Sequence, residues 1–220
     1  MDKKLLNTYR IFDEYEKRFA AARCSHKLRE PWKEHEREEI KNLVKDVLCF
    51  NDDMIPQISV IDKKIEVRGG IKVTDCMYRS WERFYGVFTL FEPNRDGKCP
   101  LIFVCPGHGE EGRLTDCYQE MAFRLAHMGA YVILNDNIGQ GSRSQFGHWD
   151  CVAPFYCGLT LQGMIVAETM ALIRYAKELD FVDADRIGIC GNSGGGTLTE
   201  FLAALEPSIS AAASSGYPSE

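Results

Sequence analysis

Histidine is scarce in this sequence, and its placement limits the chemistry that the chain can do. The 220 residues contain five histidines, and none of them lies among residues 194–220. Long apolar runs are missing too. No segment approaches the roughly 20 apolar residues of a membrane-spanning helix, and residues 1–5 lack the apolar core of a signal peptide. The sequence therefore predicts a cytoplasmic protein without a membrane partner.

The cysteines show no pairing pattern. There are nine of them, an odd number, and no C-x-x-C spacing occurs. Several, such as Cys105 and Cys190, lie in apolar, strand-like segments. We interpret them as buried free thiols in a reducing compartment. We also expect no metal site, because zinc sites use closely spaced pairs of ligands.

Charge of one sign is not concentrated anywhere in the chain. The net charge is -6, and acidic and basic residues are mixed in dense regions such as residues 33–37. This pattern argues against nucleic acid as a partner, because nucleic-acid-binding surfaces are strongly basic. Hydrophobic residues make up 45% of the chain, and a chain of this length can bury enough apolar surface for a three-layer core.

The predicted elements change character twice along the chain. Apolar residues recur at helical spacing within residues 2–50, so we predict an N-terminal helical segment, residues 1–52, packed on a main domain of residues 53–220. Residues 57–92 are rich in β-branched and aromatic residues, and Gly69-Gly70 marks a turn, which predicts antiparallel strands. From residue 100 onward, strands and helices alternate. That order predicts a mostly parallel sheet with ligand sites at the carboxyl ends of its strands.

The most informative segment is Gly191-Asn192-Ser193-Gly194-Gly195. It follows an apolar run, residues 186–190, and precedes a helical segment, residues 196–205. A G-x-S-x-G between a strand and a helix holds its serine on a tight, strained turn with the hydroxyl exposed as a nucleophile. The backbone N–H of Gly194 would then stabilise an oxyanion at the helix N-terminus. A glycine-rich helix start that serves packing alone is the alternative.

A second loop is predicted to complete the oxyanion hole. Residues 106–112 follow Cys105 directly and contain three glycines. Their small size allows the backbone to approach a substrate closely. We expect the second donor to come from the backbone around His108 and Gly109. A plain glycine-rich turn is the alternative.

The third loop, residues 135–147, also follows a predicted buried strand. It should therefore line the same cleft, and we expect Asp136, Gln140 and His148 there. For Asp136 we favour a structural role, capping a turn or orienting a neighbour. Phosphate binding is not indicated, because neither a P-loop nor a dinucleotide-binding pattern is present.

Together these loops resemble the α/β-hydrolase superfamily, and within it the acetyl xylan esterase and dienelactone hydrolase-like group. The resemblance covers residues 55–216 and is carried by residues 107–109, 136–143 and 185–196. It implies an α/β fold, an α/β-hydrolase-type three-layer sandwich. It further implies a serine hydrolase of carboxylesterase type that acts on small or carbohydrate esters through an acyl-enzyme at Ser193, without a cofactor.

The family also places an acid and then a histidine in loops after the nucleophile, each beyond a further strand. This sequence ends before them. We therefore expect a domain without its last strands, a catalytic acid and base that are not in the chain as given, and little or no turnover. His108 and His148 are the histidines expected at the catalytic edge. We expect His108 to orient the oxyanion loop and His148 to pack beside Trp149.

Two other functions stay open. One is a peptidase or amidase of the same fold, since the serine motif does not distinguish esters from amides. The other is a non-catalytic protein that uses the cleft for binding or an open sheet edge for assembly.

That edge is expected whatever the function. Because the last strands of the fold that the chain resembles are missing, the strand predicted near residues 211–215 would form an open sheet edge, which predicts a homo-oligomer through that edge.

Overall fold

The structure is a computed structural model, and it describes residues 14, 17–18, 33–147 and 152–216. The chain divides into two compact units, residues 1–40 with 219–220, and residues 41–218. In the first unit Glu14, Lys17 and Arg18 are helical, and helix α1, Glu34–Leu48, begins there. The remaining residues before 33 in the predicted N-terminal helical segment lie outside the described residues.

A seven-stranded sheet forms the framework of the described part of the second unit. The strands are β1 Ser59–Arg68, β2 Ile71–Arg79, β3 Tyr85–Glu92, β4 Cys99–Cys105, β5 Tyr131–Asn135, β6 Val182–Asn192 and β7 Ile209–Ser215. Their order in the sheet is β1-β2-β3-β5-β4-β6-β7.

The N-terminal strands join the sheet antiparallel, as the sequence predicts. Strands β1 and β2 form a hairpin across Gly69 and Gly70, whose φ angles of 54° and 80° suit glycine because it has no Cβ. Strand β3 pairs antiparallel with both β2 and β5. Strands β5, β4, β6 and β7 then run parallel to one another. Thus β1 and β3 run against the other five.

Helices cover both faces of the sheet and complete three layers. Side chains of the central strands alternate between the faces, because successive residues of a strand point in opposite directions. The α-helices that lie wholly in the described part of this unit are α2 Asp116–His127, α3 Val152–Tyr156, α4 Leu161–Lys177 and α5 Gly194–Leu205. Phe103 and Ile133 pack in the cluster that holds α4 and α5, whereas Val104 and Leu134 pack in the cluster that holds α2. None of the described helices is long and apolar enough to cross a bilayer.

The strand order places three loops side by side. Because β4 lies between β5 and β6 and is parallel to both, the carboxyl ends of these strands meet at one edge of the sheet. The loop after β4, the loop after β5 and the turn from β6 into α5 all leave from that edge. The fold therefore builds a site from residues that are about 30 to 90 positions apart in the chain.

Strand β7 is the outer strand on its side of the described sheet, and it pairs with β6. Residues 210–215 are exposed. An edge strand presents unpaired backbone groups that can bind another strand. Association of two copies through this edge stays a prediction.

We expect a leucine on the α4 face of the core to be far more important for stability than an exposed leucine. Leu172 is fully buried, whereas Leu114 is 52% exposed. Leu172→Ala should lower the free energy of unfolding by about 2–5 kcal/mol, because it removes buried methyl groups and leaves a cavity. Leu114→Ala should change it by about 0.5 kcal/mol or less. Urea denaturation of both variants measures the difference, and equal effects would contradict the layer assignment.

Candidate active site

Ser193 stands on a sharp turn between two regular elements. It follows Asn192, the last residue of β6, and precedes Gly194, the first residue of α5. Its φ of 55° and ψ of -122° are unusual for a residue with a Cβ and cost about 1–3 kcal/mol of local strain. The residue is half-buried, and its backbone N–H donates to the carbonyl of Ser215, 2.9 Å away. This is the geometry of a nucleophile elbow.

Glycines allow the turn to pack against its surroundings. A Cβ on Gly195 would overlap the carbonyl oxygen of Cys105, at the end of β4. A Cβ on Gly191 would overlap the carbonyl oxygen of Gly195. A Cβ on Gly107 would lie 2.5 Å from the carbonyl oxygen of Asn192 and 3.2 Å from the Cβ of Ser193. Strand β4, the elbow and α5 therefore approach one another at distances that only glycine permits.

The loop after β4 lies directly against this elbow. The imidazole of His108 covers Gly194, since a Cβ on Gly194 would lie 2.5 Å from Cε1 and 2.7 Å from Nδ1. The N–H of Gly107 donates to the Tyr118 hydroxyl, 2.7 Å away, which ties the start of the loop to α2. The N–H of Gly112 donates to the carbonyl of Gly109 at 3.3 Å and closes the loop into a turn. The structure thus brings together the residues that the sequence predicts for the oxyanion hole.

A cavity of about 170 Å³ opens beside Gly194. Three of the predicted site residues, His108, Gln140 and Gly194, form part of its wall. His148, expected in the same cleft, lies outside the described residues. Side chains that sequence reasoning did not single out complete the wall: Asn137, Gln162, Ile165, Thr197 and Leu198.

Asp136 occupies a different place from the cleft wall expected for it. Its side chain is 0% exposed, and it accepts hydrogen bonds from two residues. The Arg113 backbone N–H donates at 2.8 Å, and the Arg113 guanidinium forms an ion pair with the carboxylate. The Ser142 N–H and hydroxyl donate at 3.0 and 2.8 Å. Four hydrogen bonds occupy this carboxylate, so it ties the loops after β4 and β5 together.

A second buried ion pair extends this network to α4. Arg143 pairs with Glu168, and both side chains are nearly inaccessible to solvent. The Arg143 guanidinium also donates to the backbone carbonyl of Asp136, at 3.2 Å. The Ser80 hydroxyl donates to Glu168 at 2.7 Å. Burial by itself lowers the pKa of Arg143, but the Glu168 carboxylate and other neighbours reverse this effect, so the pKa is raised and the guanidinium stays charged.

Sequence reasoning missed Arg113 and Glu168, although the position of Glu168 in the sequence was informative. It lies among the apolar residues on the buried side of α4, beside Ile165 and Leu172. A carboxylate on such a face requires a cation or several donors. Nothing in the sequence says which of the many arginines supplies that cation, because the partner lies in a loop 25 positions away.

The two thiols near the elbow, Cys105 and Cys190, are weak nucleophiles. Cys105 is fully buried, and burial raises the pKa of its thiol far above the ordinary value, with a further rise from Cys190. Burial raises the pKa of Cys190 as well. Both thiols therefore stay protonated near neutral pH, and a protonated thiol is a weak nucleophile. Among the described residues, no three His, Cys, Asp or Glu side chains are grouped so as to hold a metal ion.

The family model for acetyl xylan esterase (AXE1) matches residues 56–219, which include the sheet, the elbow and both loops. The chain belongs to the acetyl xylan esterase family. Its α/β-hydrolase fold agrees with that membership, and so does the Ser193 turn between β6 and α5. A comparison with curated proteins found no match.

Solved structures of acetyl xylan esterases and related proteins share this fold. A candidate acetyl xylan esterase of Bacteroides fragilis is 19% identical, with a TM-score of 0.67 over 80% of this chain and 51% of that chain. A methylesterase is 25% identical, with a TM-score of 0.64 over 79% and 39%. Acetyl xylan esterase 1 of Thermoanaerobacterium is 22% identical, with a TM-score of 0.56 over 81% and 57%. The chain therefore spans about half the length of these structures.

A methyl group at position 195 should disrupt the elbow, whereas one at position 109 should not. The added Cβ of Gly195→Ala overlaps the Cys105 carbonyl, so we expect the free energy of unfolding to fall by about 1–3 kcal/mol or more. At Gly109 the nearest atom to an added Cβ is the Thr115 hydroxyl oxygen, 3.8 Å away. Gly109→Ala should change stability by about 0.5 kcal/mol or less. Thermal or urea unfolding of both variants measures the difference. If Gly195→Ala is as stable as the parent protein, the close contact with Cys105 does not limit residue 195.

Removing the charge of Glu168 should be strongly destabilising. Glu168→Gln leaves the buried Arg143 guanidinium without its carboxylate, which costs about 3–5 kcal/mol in comparable sites. The matched control is Glu120→Gln, which removes an exposed carboxylate from its pair with Arg124. That substitution should change the free energy of unfolding by about 0.5 kcal/mol or less. Chemical denaturation compares them, and similar values for both variants would show that the buried pair is not needed for stability.

Proposed function

We propose that this protein is a serine ester hydrolase that removes acetyl groups from hydroxylated, carbohydrate-like alcohols. The observation that carries the proposal is the conformation of Ser193, a positive φ at a glycine-lined turn between strand and helix. The structure tolerates strain there, and strained backbone is concentrated at functional sites. Membership of the acetyl xylan esterase family supports acetate as the acyl group.

In the proposed reaction the Ser193 hydroxyl oxygen attacks the ester carbonyl carbon while a base takes the hydroxyl proton. Negative charge then develops on the carbonyl oxygen. The N–H of Gly194, in the first turn of α5, has no acceptor within its own helix and is placed to stabilise that charge. The Gly107 N–H already donates to Tyr118. We assign the second donor to the backbone around His108 and Gly109, because this loop packs directly against Gly194.

Collapse of the tetrahedral intermediate breaks the bond to the alcohol oxygen, which leaves with a proton. A water molecule then attacks the acetyl-serine and releases acetate. The hydrogen bonds to the oxyanion are stronger in the transition state than with the neutral ester, and losing one such donor costs about 3 kcal/mol of barrier. No cofactor takes part in these steps.

Proton removal from Ser193 requires a base. Residues 194–220 contain no histidine, although relatives in the superfamily take their base from that side of the nucleophile. The His108 imidazole packs over Gly194, which suits a role in shaping the oxyanion loop. We therefore propose that these residues hold a correctly placed nucleophile whose activation needs a base from elsewhere.

Imidazole supplied in the buffer should restore part of the missing proton transfer. With p-nitrophenyl acetate, we expect the 220-residue protein to show an imidazole-dependent release of p-nitrophenol above the rate of imidazole in solution. Mass spectrometry should then find an acetyl group on the peptide that contains Ser193. Ser193→Ala should abolish both signals, while Ser144→Ala, at an exposed serine of the loop after β5, should keep them.

Other outcomes would decide against the proposal. If acetyl-serine never forms at residue 193, with or without imidazole, the esterase assignment fails and a non-catalytic binding protein becomes the better reading. If short peptide amides acylate Ser193 faster than acetyl esters, the protein is an amidase or peptidase of the same fold.

A further inference from the structure

Gln140 and Gln162 line the cavity beside Gly194, and each carries a buried amide atom without a hydrogen-bond partner among the described residues. Gln140 is 6% exposed, and its Oε1 accepts no hydrogen bond there. Gln162 lines the same cavity, and its Nε2 donates none. A buried polar atom without a partner costs about 1–3 kcal/mol. Such a cost is tolerated where a ligand or a water molecule supplies the missing hydrogen bond.

The polar part of the cavity wall carries amide, hydroxyl and imidazole groups. These groups belong to His108, Asn137, Gln140, Gln162 and Thr197, and the remaining lining is apolar or glycine. No carboxylate, ammonium or guanidinium belongs to this lining. A neutral hydroxyl group fits such a wall, because it donates one hydrogen bond and accepts others.

Both amides project from rigid supports. Gln140 lies in the loop after β5, where its N–H donates to the Asn137 carbonyl at 3.0 Å and its carbonyl accepts from the Arg143 N–H at 2.9 Å. Gln162 lies in the first turn of α4, which the Thr160 hydroxyl caps by accepting from the Gly163 N–H at 2.9 Å. The backbone that carries each of these amides is therefore held in place before any ligand arrives, which reduces the entropy lost on binding.

We propose that Gln140 and Gln162 form a hydroxyl-recognition subsite for the ester substrate. A substrate hydroxyl in the cavity exchanges hydrogen bonds with the amide groups of Gln140 and Gln162, beside Gly194. This inference rests on the proposed function for the identity of the reacting group. It adds the residues that select a hydroxylated ester over an alkyl ester. A site built to bind a hydroxyl rejects the analogue without it, because its buried polar atoms then stay unpaired.

The hydroxyl can belong to the alcohol part or to the acyl part of the ester, and two ligands separate these sources. Methyl β-D-xylopyranoside represents a hydroxylated alcohol, and methyl glycolate represents a hydroxylated acyl group. The reference ligand is 2-methoxytetrahydropyran, which has the xyloside ring without its hydroxyls. We expect the xyloside to bind, since an acetyl group carries no hydroxyl to satisfy these amides.

Binding is measured on the Ser193→Ala protein, so that the result does not depend on turnover. NMR titration follows the side-chain amide signals of Gln140 and Gln162. Both signals should shift with the xyloside and stay in place with the reference ligand. Gln140→Met and Gln162→Met keep an unbranched side chain and remove the amide. Each should weaken xyloside binding about five- to tenfold, the effect of one neutral hydrogen bond. Gln145→Met is the control at an exposed glutamine, and it should leave binding unchanged.

Each contrary result has a definite meaning. If neither hydroxylated ligand shifts the two amides, or if the Met variants bind the xyloside as well as the parent, the cavity holds an ordered water only and the inference is overturned. If methyl glycolate alone binds, the subsite recognises the acyl part, and the alcohol assignment fails.

Two outcomes separate this inference from the proposed function. If Ser193 is acetylated but the protein binds ligands with and without hydroxyls equally well, the hydroxyl subsite is wrong and the esterase proposal stands. If the protein binds the hydroxylated ligand selectively but Ser193 is never acetylated, the esterase proposal is wrong and the subsite stands. Should Gln140→Met fail to fold, Gln162→Met decides.

Discussion

The close backbone contact between strand β4 and the turn from β6 into α5 determines the rest of this site. The carbonyl of Cys105 lies where a side chain on residue 195 would have to be, and Gly107 contacts both Asn192 and Ser193. Because these backbones are so close, the chain can leave β6 only through a sharp reversal, and Ser193 takes a positive φ. The same contact sets the His108 loop over the N-terminus of α5. The Ser193 turn and the position of the His108 loop are thus consequences of one packing constraint.

Buried charges hold the loops after β4 and β5 in fixed positions beside the contact between β4 and the Ser193 turn. Asp136 binds Arg113 from the loop after β4 and Ser142 from its own loop, and Arg143 carries the connection to Glu168 on α4. Replacing such pairs by apolar residues is often neutral for stability, and we infer that these pairs serve to specify one arrangement of the loops. Four hydrogen bonds to the Asp136 carboxylate fix its orientation. The loops that shape the cavity therefore keep one geometry, and Gln140 is placed within it.

Much of this architecture was predictable from local patterns. The continuous apolar runs of β4 and β5 predicted strands buried on both faces, and Gly69-Gly70 predicted the hairpin between β1 and β2. Ser193 was identifiable because its motif is a local one, with strand, turn and helix contiguous in the chain. Asp136 was placed in the correct loop, but its side chain is buried and does not line the cleft. Residue type and spacing do not say on which side of a loop a carboxylate finds its donors.

The amino-acid order determined the elements, the serine turn and the family, since each of these depends on residues that are neighbours in the chain or recur at a fixed period. The fold decided which loops meet. The sheet order, with β4 between β5 and β6, brings Gln140 and Gln162 to one cavity with Gly194. The buried ion pair with Arg143 explains why a charged residue, Glu168, lies on the apolar face of α4. The reason is that hydrogen bonds and ion pairs depend on distances of about 3 Å in space, and such distances between remote residues arise when the core packs.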